Sequence, residues 1–137
     1  MKLAAICMML LTGCATHSID NPEKINVDGI RLVIRENVIK EALPCYSKLI
    51  KSYENSGKSV EMLEGKLVIQ FEVDKDGRAS DIKIKESKIA SPEVFESCIR
   101  QPMVKAQFPI PPSGQIAEIT YPFIFSNKNK ISIRNEK

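Results

Sequence analysis

From Ile30 to about Tyr53, apolar residues recur every three or four positions. Ile34, Val38, Ala42, Cys45, Leu49 and Tyr53 form one stripe. That spacing predicts an amphipathic helix with the stripe against a core. Pro44 lies inside it and removes a backbone donor, so a kink or short break is expected there. After a loop at 55–62 the period changes to two. Leu67, Ile69, Phe71 and Val73 alternate with Lys66, Val68, Gln70 and Glu72, which predicts a strand from about Glu64 to Val73 with one buried face. Asp74-Lys75-Asp76-Gly77 reads as a hairpin turn, and Gly77 can take the positive φ that such turns need. A second strand follows, about Arg78 to Glu86, with Ile82 and Ile84 between charged neighbours.

Ser91-Pro92-Glu93 suits a helix start: Ser91 as N-cap, Pro92 in the first turn, Glu93 against the dipole. Val94, Phe95, Cys98 and Ile99 then mark an apolar side, and Pro102 should end or bend the helix. Phe108-Pro109-Ile110-Pro111-Pro112 cannot be helical and should cross the domain in extended form. Ile116–Phe125 alternates again, with Ala117, Ile119, Tyr121, Phe123 and Phe125 on one face. The order helix–strand–strand–helix–strand predicts an α+β fold. Strands one and two pair as a hairpin, and the second helix returns strand three beside strand one. The expected sheet has three strands, antiparallel or mixed, in the order 2-1-3, with both helices on one face. The other face should be solvated.

Ahead of this domain, Met1-Lys2 is followed by the short apolar run Leu3–Leu11. A spanning helix needs about 20 apolar residues, so the run has instead the size of a signal-peptide core. It ends in Leu11-Thr12-Gly13-Cys14, which resembles the lipobox of bacterial lipoproteins. The resemblance implies cleavage before Cys14, lipid on its sulfur and acylation of its new amino group. Ala15 stands where the inner-membrane retention signal usually has Asp, which favours the outer membrane, facing the periplasm. Residues 15–29 are polar, with Asn21-Pro22 and Asp28-Gly29, and read as a tether. The expected division is 1–13 signal peptide, 14–29 lipidated start and tether, 30–126 folded domain, and 127–137 basic tail.

Composition adds exclusions. Hydrophobic residues make up 43% and charged residues 27%, ordinary for a globular domain. A net charge of +3 without a clustered basic face gives no ground for nucleic-acid binding. The single histidine, His17, lies in the tether. No Ser-His or Cys-His relay is then available inside the domain, and no Gly-rich phosphate loop is present, so catalysis is not expected. No cofactor and no metal are expected either. Asp74-Lys75-Asp76-Gly77 is too short for an EF-hand loop, and two thiols without a histidine make an incomplete zinc shell.

Four cysteines are present. Cys7 leaves with the signal and Cys14 takes lipid, which leaves Cys45 and Cys98 on the apolar sides of two neighbouring helices. In an oxidising envelope they would form a disulfide; the alternative is two buried free thiols.

The stretch from about Val33 to Phe125 resembles the C-terminal domain of TonB-type proteins, closest to the version in AgmX/PglI gliding-motility proteins. The matching words are Cys45-Tyr46, Gly65-Lys66-Leu67-Val68-Ile69, Asp76-Gly77-Arg78, Cys98, Phe108-Pro109 and Tyr121-Pro122-Phe123. Ala106 and Gln107 stand where family members often carry an aromatic residue. The resemblance implies a Cys45–Cys98 pair and a non-catalytic domain that binds proteins by adding a partner's strand to its sheet edge. In the predicted topology that edge is Ile116–Phe125, with Ile116, Glu118, Thr120, Pro122 and Ile124 outward. Pro122 lacks an N–H and must face away from strand one; it serves partner docking or simply protects an edge. The tether of about 15 residues reaches only ~50 Å at ~3.5 Å per residue, too short for force transmission by TonB's route. The expected role is an envelope adaptor in a motility, secretion or transport assembly. The alternatives are a lipoprotein binding a small molecule or cell-wall polymer on the open sheet face, and a purely structural one.

Overall fold

A computed structural model describes residues 24–126, 128 and 130–133. Cys14, His17 and the lipobox lie outside the described residues, as do residues 134–137 of the tail.

The first helix, α1, starts earlier than its apolar stripe suggests. Asn26 caps it, accepting from the Gly29 N–H at 2.9 Å. Asp28-Gly29, expected in the tether, lies instead in the first helical turn. The helix runs as Val27–Val33, widens into a π-helical turn at Ile34–Ile39, and continues as Lys40–Asn55. Pro44 therefore sits inside a continuous helix and does not break it. A proline ring crowds the carbonyl four residues back, and here the widened turn lies immediately ahead of that carbonyl. The second helix, α2, repeats the device. Its π-helical turn Val94–Ile99 leads into Arg100–Lys105, which contains Pro102. No side chain caps α2. The hydroxyl of Ser91 pairs instead with that of Tyr53 at 2.8 Å, tying the end of α1 to the start of α2.

Strands β1 (Gly65–Val73), β2 (Ala79–Ser87) and β3 (Ala117–Ser126) lie within a residue or so of their expected places. The sheet is not three-stranded, however. A fourth strand, β4 (Lys130–Ile133), comes from the segment expected to be tail, and the order is β2-β1-β3-β4 with every pairing antiparallel. Strand β1 is central, as its apolar content required. Leu67, Ile69, Phe71 and Val73 meet Phe123, Tyr121, Ile119 and Ala117 in unbroken register. These side chains form the core with Ile34, Val38, Tyr46, Phe95, Ile99 and Met103 of the helices.

Tyr46 shows how the core treats a polar group. Its ring packs edge-on against Phe125. Its hydroxyl donates to the Leu63 carbonyl at 3.2 Å and lies 3.4 Å from that of Ser126. Burial, with the Glu64 charge adding to it, pushes the phenol up to about 12. Below pH 10 the folded and unfolded chains both keep this proton, and no stability is lost. Between pH 10 and about 12 the unfolded chain ionises first, so stability should fall with rising pH; above that the loss levels off. Tyr46→Phe should make this alkaline slope shallower. It should also cost about 1–2 kcal/mol at neutral pH, because the carbonyls lose their donor. Urea midpoints at pH 7 and pH 11 check both; an unchanged slope would refute the assignment.

Candidate functional site

The two borders of the sheet differ. On the β2 side the strand is irregular: its register against β1 shifts twice, and Asp81 takes φ of +48°. Such bulges twist an edge away from further pairing. The Ile82 carbonyl in this stretch accepts from Arg100 Nη1 at 3.1 Å, so a helix side chain occupies the border as well.

The β3 side is regular and only half covered. The Lys66 carbonyl accepts from Lys88 on the β2 side, so alternate β1 residues, Gly65, Leu67 and Ile69, turn toward β3. Their partners Phe125, Phe123 and Tyr121 turn back toward β1. The backbone groups of Glu118, Thr120, Pro122, Ile124 and Ser126 therefore face outward. Pro122 falls in that set, where its missing N–H breaks no bond to β1. Strand β4 pairs with Phe123–Ser126 alone. Ile124, expected on an open edge, lies opposite Ser132, so that part of the proposed docking edge is already taken. Among the described residues no strand covers 118–122.

A groove of about 490 Å³ lies at this uncovered half. Val27, Ile30 and Arg31 of the first turns of α1 form one wall, and Glu118–Pro122 form the floor. Lys66 and Val68 carry it onto the open sheet face. Gly29 sets the helix wall: a Cβ there would meet Pro109 at 2.8 Å, so the first turn lies close against the segment leading to β3. Glu118 and Thr120 are exposed and Pro122 is half-buried. Glu118 accepts from Gln70 Nε2 at 2.6 Å. Ile116, just before β3, is 63% exposed. The Tyr121 hydroxyl is buried and has no hydrogen-bond partner at bonding geometry. Burial raises its pKa, against the lowering influence of the nearby Arg31.

Sequence periodicity missed the groove's helix wall and the orphan hydroxyl. Val27 and Arg31 lie ahead of or beside the apolar stripe, and Tyr121 counted only as core.

Cys45 and Cys98 form a disulfide, with their Cα atoms 5.4 Å apart, which links α1 to the π-helical turn of α2. Among the described residues no group of three or more His, Cys, Asp and Glu side chains could hold a metal ion. No described helix is long and apolar enough to cross a membrane. Comparison with family models, with curated proteins and with solved structures finds no match to this chain.

Proposed function

We propose that this chain is a non-catalytic, lipid-anchored adaptor of the bacterial cell envelope that binds an extended segment of a partner protein along Glu118–Pro122. One observation carries the reading: the sheet has a bulged border, where Arg100 takes the Ile82 carbonyl, and a regular border that no strand among the described residues covers at 118–122, beside a groove. Exposed edges are a hazard that native proteins usually blunt. An edge left regular next to a groove fits strand addition, in which outward N–H and C=O groups bind a partner's backbone and the groove takes alternate side chains. The resemblance to TonB-type C-terminal domains points the same way. The signal-like run ending at Cys14 supports the anchor. Two or more acyl chains, at about 0.8 kcal/mol per buried CH₂, would hold the protein stably at a membrane.

Each half of the proposal has its own test. Labelled palmitate should enter the wild-type protein and not a Cys14→Ala variant; equal labelling would refute the anchor. A photo-crosslinking residue at Thr120 should trap a defined envelope protein in living cells, while one at Lys83 on the protected border should not. Thr120→Pro removes one outward donor and leaves the β1 ladder intact. It should lower partner capture about tenfold, the equivalent of 1.4 kcal/mol, with little change in melting temperature. Capture through Lys83 equal to that through Thr120 would move the docking site elsewhere.

A further inference from the structure

We infer that the groove beside β3 receives a carboxylate of the docked partner segment, held by the Arg31 guanidinium and the Tyr121 hydroxyl, a step that rests on the docking function proposed above. Two independent observations meet at this place. The first is Tyr121. It is 8% exposed and lines the groove, and its buried hydroxyl has no hydrogen-bond partner. Tyr46 and Tyr53 are buried too, but their hydroxyls are bonded, to the Leu63 carbonyl and to Ser91. A buried donor without an acceptor is costly, and native folds keep few of them. One that borders a groove has a use if its acceptor arrives with a ligand.

The second observation is charge. Arg31, Lys66 and Lys85 line the groove against Glu86 and Glu118, and Glu118 is already engaged by Gln70. Arg31 is the cation that bears on the Tyr121 hydroxyl. Its carboxylate neighbour, Asp28, lies 3.8 Å away and is 96% exposed, so water screens that pair to little. A lone hydroxyl donor beside a weakly paired guanidinium selects a group that accepts from both. A carboxylate does so with two oxygens; an ammonium is repelled, and an apolar group leaves the hydroxyl unpaired. Arg31 is half-exposed, so its side chain can turn onto an entering carboxylate and uncover the hydroxyl within nanoseconds. Strand geometry names the position. Ile119 and Tyr121 are on the helix side of β3, Glu118 and Thr120 on the open face. Residues opposite each other on paired strands send their side chains to the same face. The acidic residue is therefore the one opposite Tyr121, and its two neighbours turn to the open face.

A displayed library of random short peptides, selected on the full chain, tests this. The selected peptides should share one Asp or Glu position, and Thr120→Pro should weaken their binding about tenfold, the mark of pairing at this border. Tyr121→Phe should also weaken it about tenfold. The melting temperature of the free variant should hold or rise, because the donor it loses bonds to nothing in the fold. Selection on Arg31→Glu should turn the acidic position into Lys or Arg. A fall in melting temperature for Tyr121→Phe would overturn the inference, since the hydroxyl would then be bonded within the free chain. Two other results would overturn it and leave the adaptor reading intact: peptides that are sensitive to Thr120→Pro but share no acidic position, and an acidic preference that survives Arg31→Glu. Peptides indifferent to Thr120→Pro, or no enrichment at all, would refute the docking border and this site together.

Discussion

Replacing both Cys45 and Cys98 by alanine is expected to lower stability by about 4 kcal/mol, from the chain entropy of closing a loop of this length. The two residues are 53 positions apart, and the bridge encloses the last third or so of α1, the β1–β2 hairpin and the start of α2. In the unfolded chain the crosslink forbids most separations of these ends, so its loss stabilises the unfolded state more than it disturbs the folded one. Cys98 is 1% exposed, which makes alanine a better replacement than serine: a buried hydroxyl would add its own desolvation cost. Urea unfolding should show a lower midpoint. It should also show a steeper slope, because the uncrosslinked chain exposes more surface on unfolding. Coincident curves for wild type and double variant would mean that the helices are held by packing alone. A bridge of this weight would suit an oxidising compartment, in keeping with the proposed envelope location.

The parts of the fold legible in the sequence are those with long periodic runs. Leu67 to Val73 and Ala117 to Phe125 alternate over enough positions to define strand and face together. Asp74–Gly77 fixed the hairpin between β1 and β2. The fourth strand escaped because Lys130-Ile131-Ser132-Ile133 has two apolar positions among charged neighbours, too short a run to separate from a polar tail. Its signal is tertiary: Ile131 is buried where β4 pairs with β3 opposite Phe125 and lies near the Ile34–Ile39 turn of α1. Pro44 misled in the other direction. A proline breaks an ideal helix, and nothing in the local sequence announces that a π-helical turn will precede it.

The proposed docking border was half legible for the same reason. Pro122 correctly indicated that even-numbered residues of β3 face away from β1. How far that side stays open depends on β4, so Ile124 was misplaced on an open edge. Arg31 and Tyr121 come together only through the path of α1 across the end of β3, a long-range relation that periodicity does not encode.

Gly77→Ala is expected to cost about 2–5 kcal/mol, combining a left-handed backbone term of ~1–2 with a displacement term of ~1–3. The turn itself is tightly made. The Asp74 carboxylate accepts from the Asp76 and Arg78 N–H groups, each at 2.9 Å, and Gly77 takes φ of +76°. Any side chain at that φ is strained. Gly77 has a second burden, because its carbonyl accepts from the Phe108 N–H at 2.8 Å and draws the 106–110 segment against the turn. An added Cβ would lie 2.3 Å from the Phe108 carbonyl oxygen, a backbone atom with nowhere to go. Relief must move Phe108, whose buried ring packs on Phe71 at 5.4 Å between centroids, so a turn substitution reaches the core. Gly57 isolates the two terms. It has φ of +70° after the end of α1, and an added Cβ would meet nothing within 4 Å. Gly57→Ala should therefore cost only the backbone term, about 1–2 kcal/mol. Urea unfolding of both variants decides the matter: similar losses would mean that the 106–110 segment yields freely, and that Phe108 is not locked to the hairpin as its hydrogen bond implies.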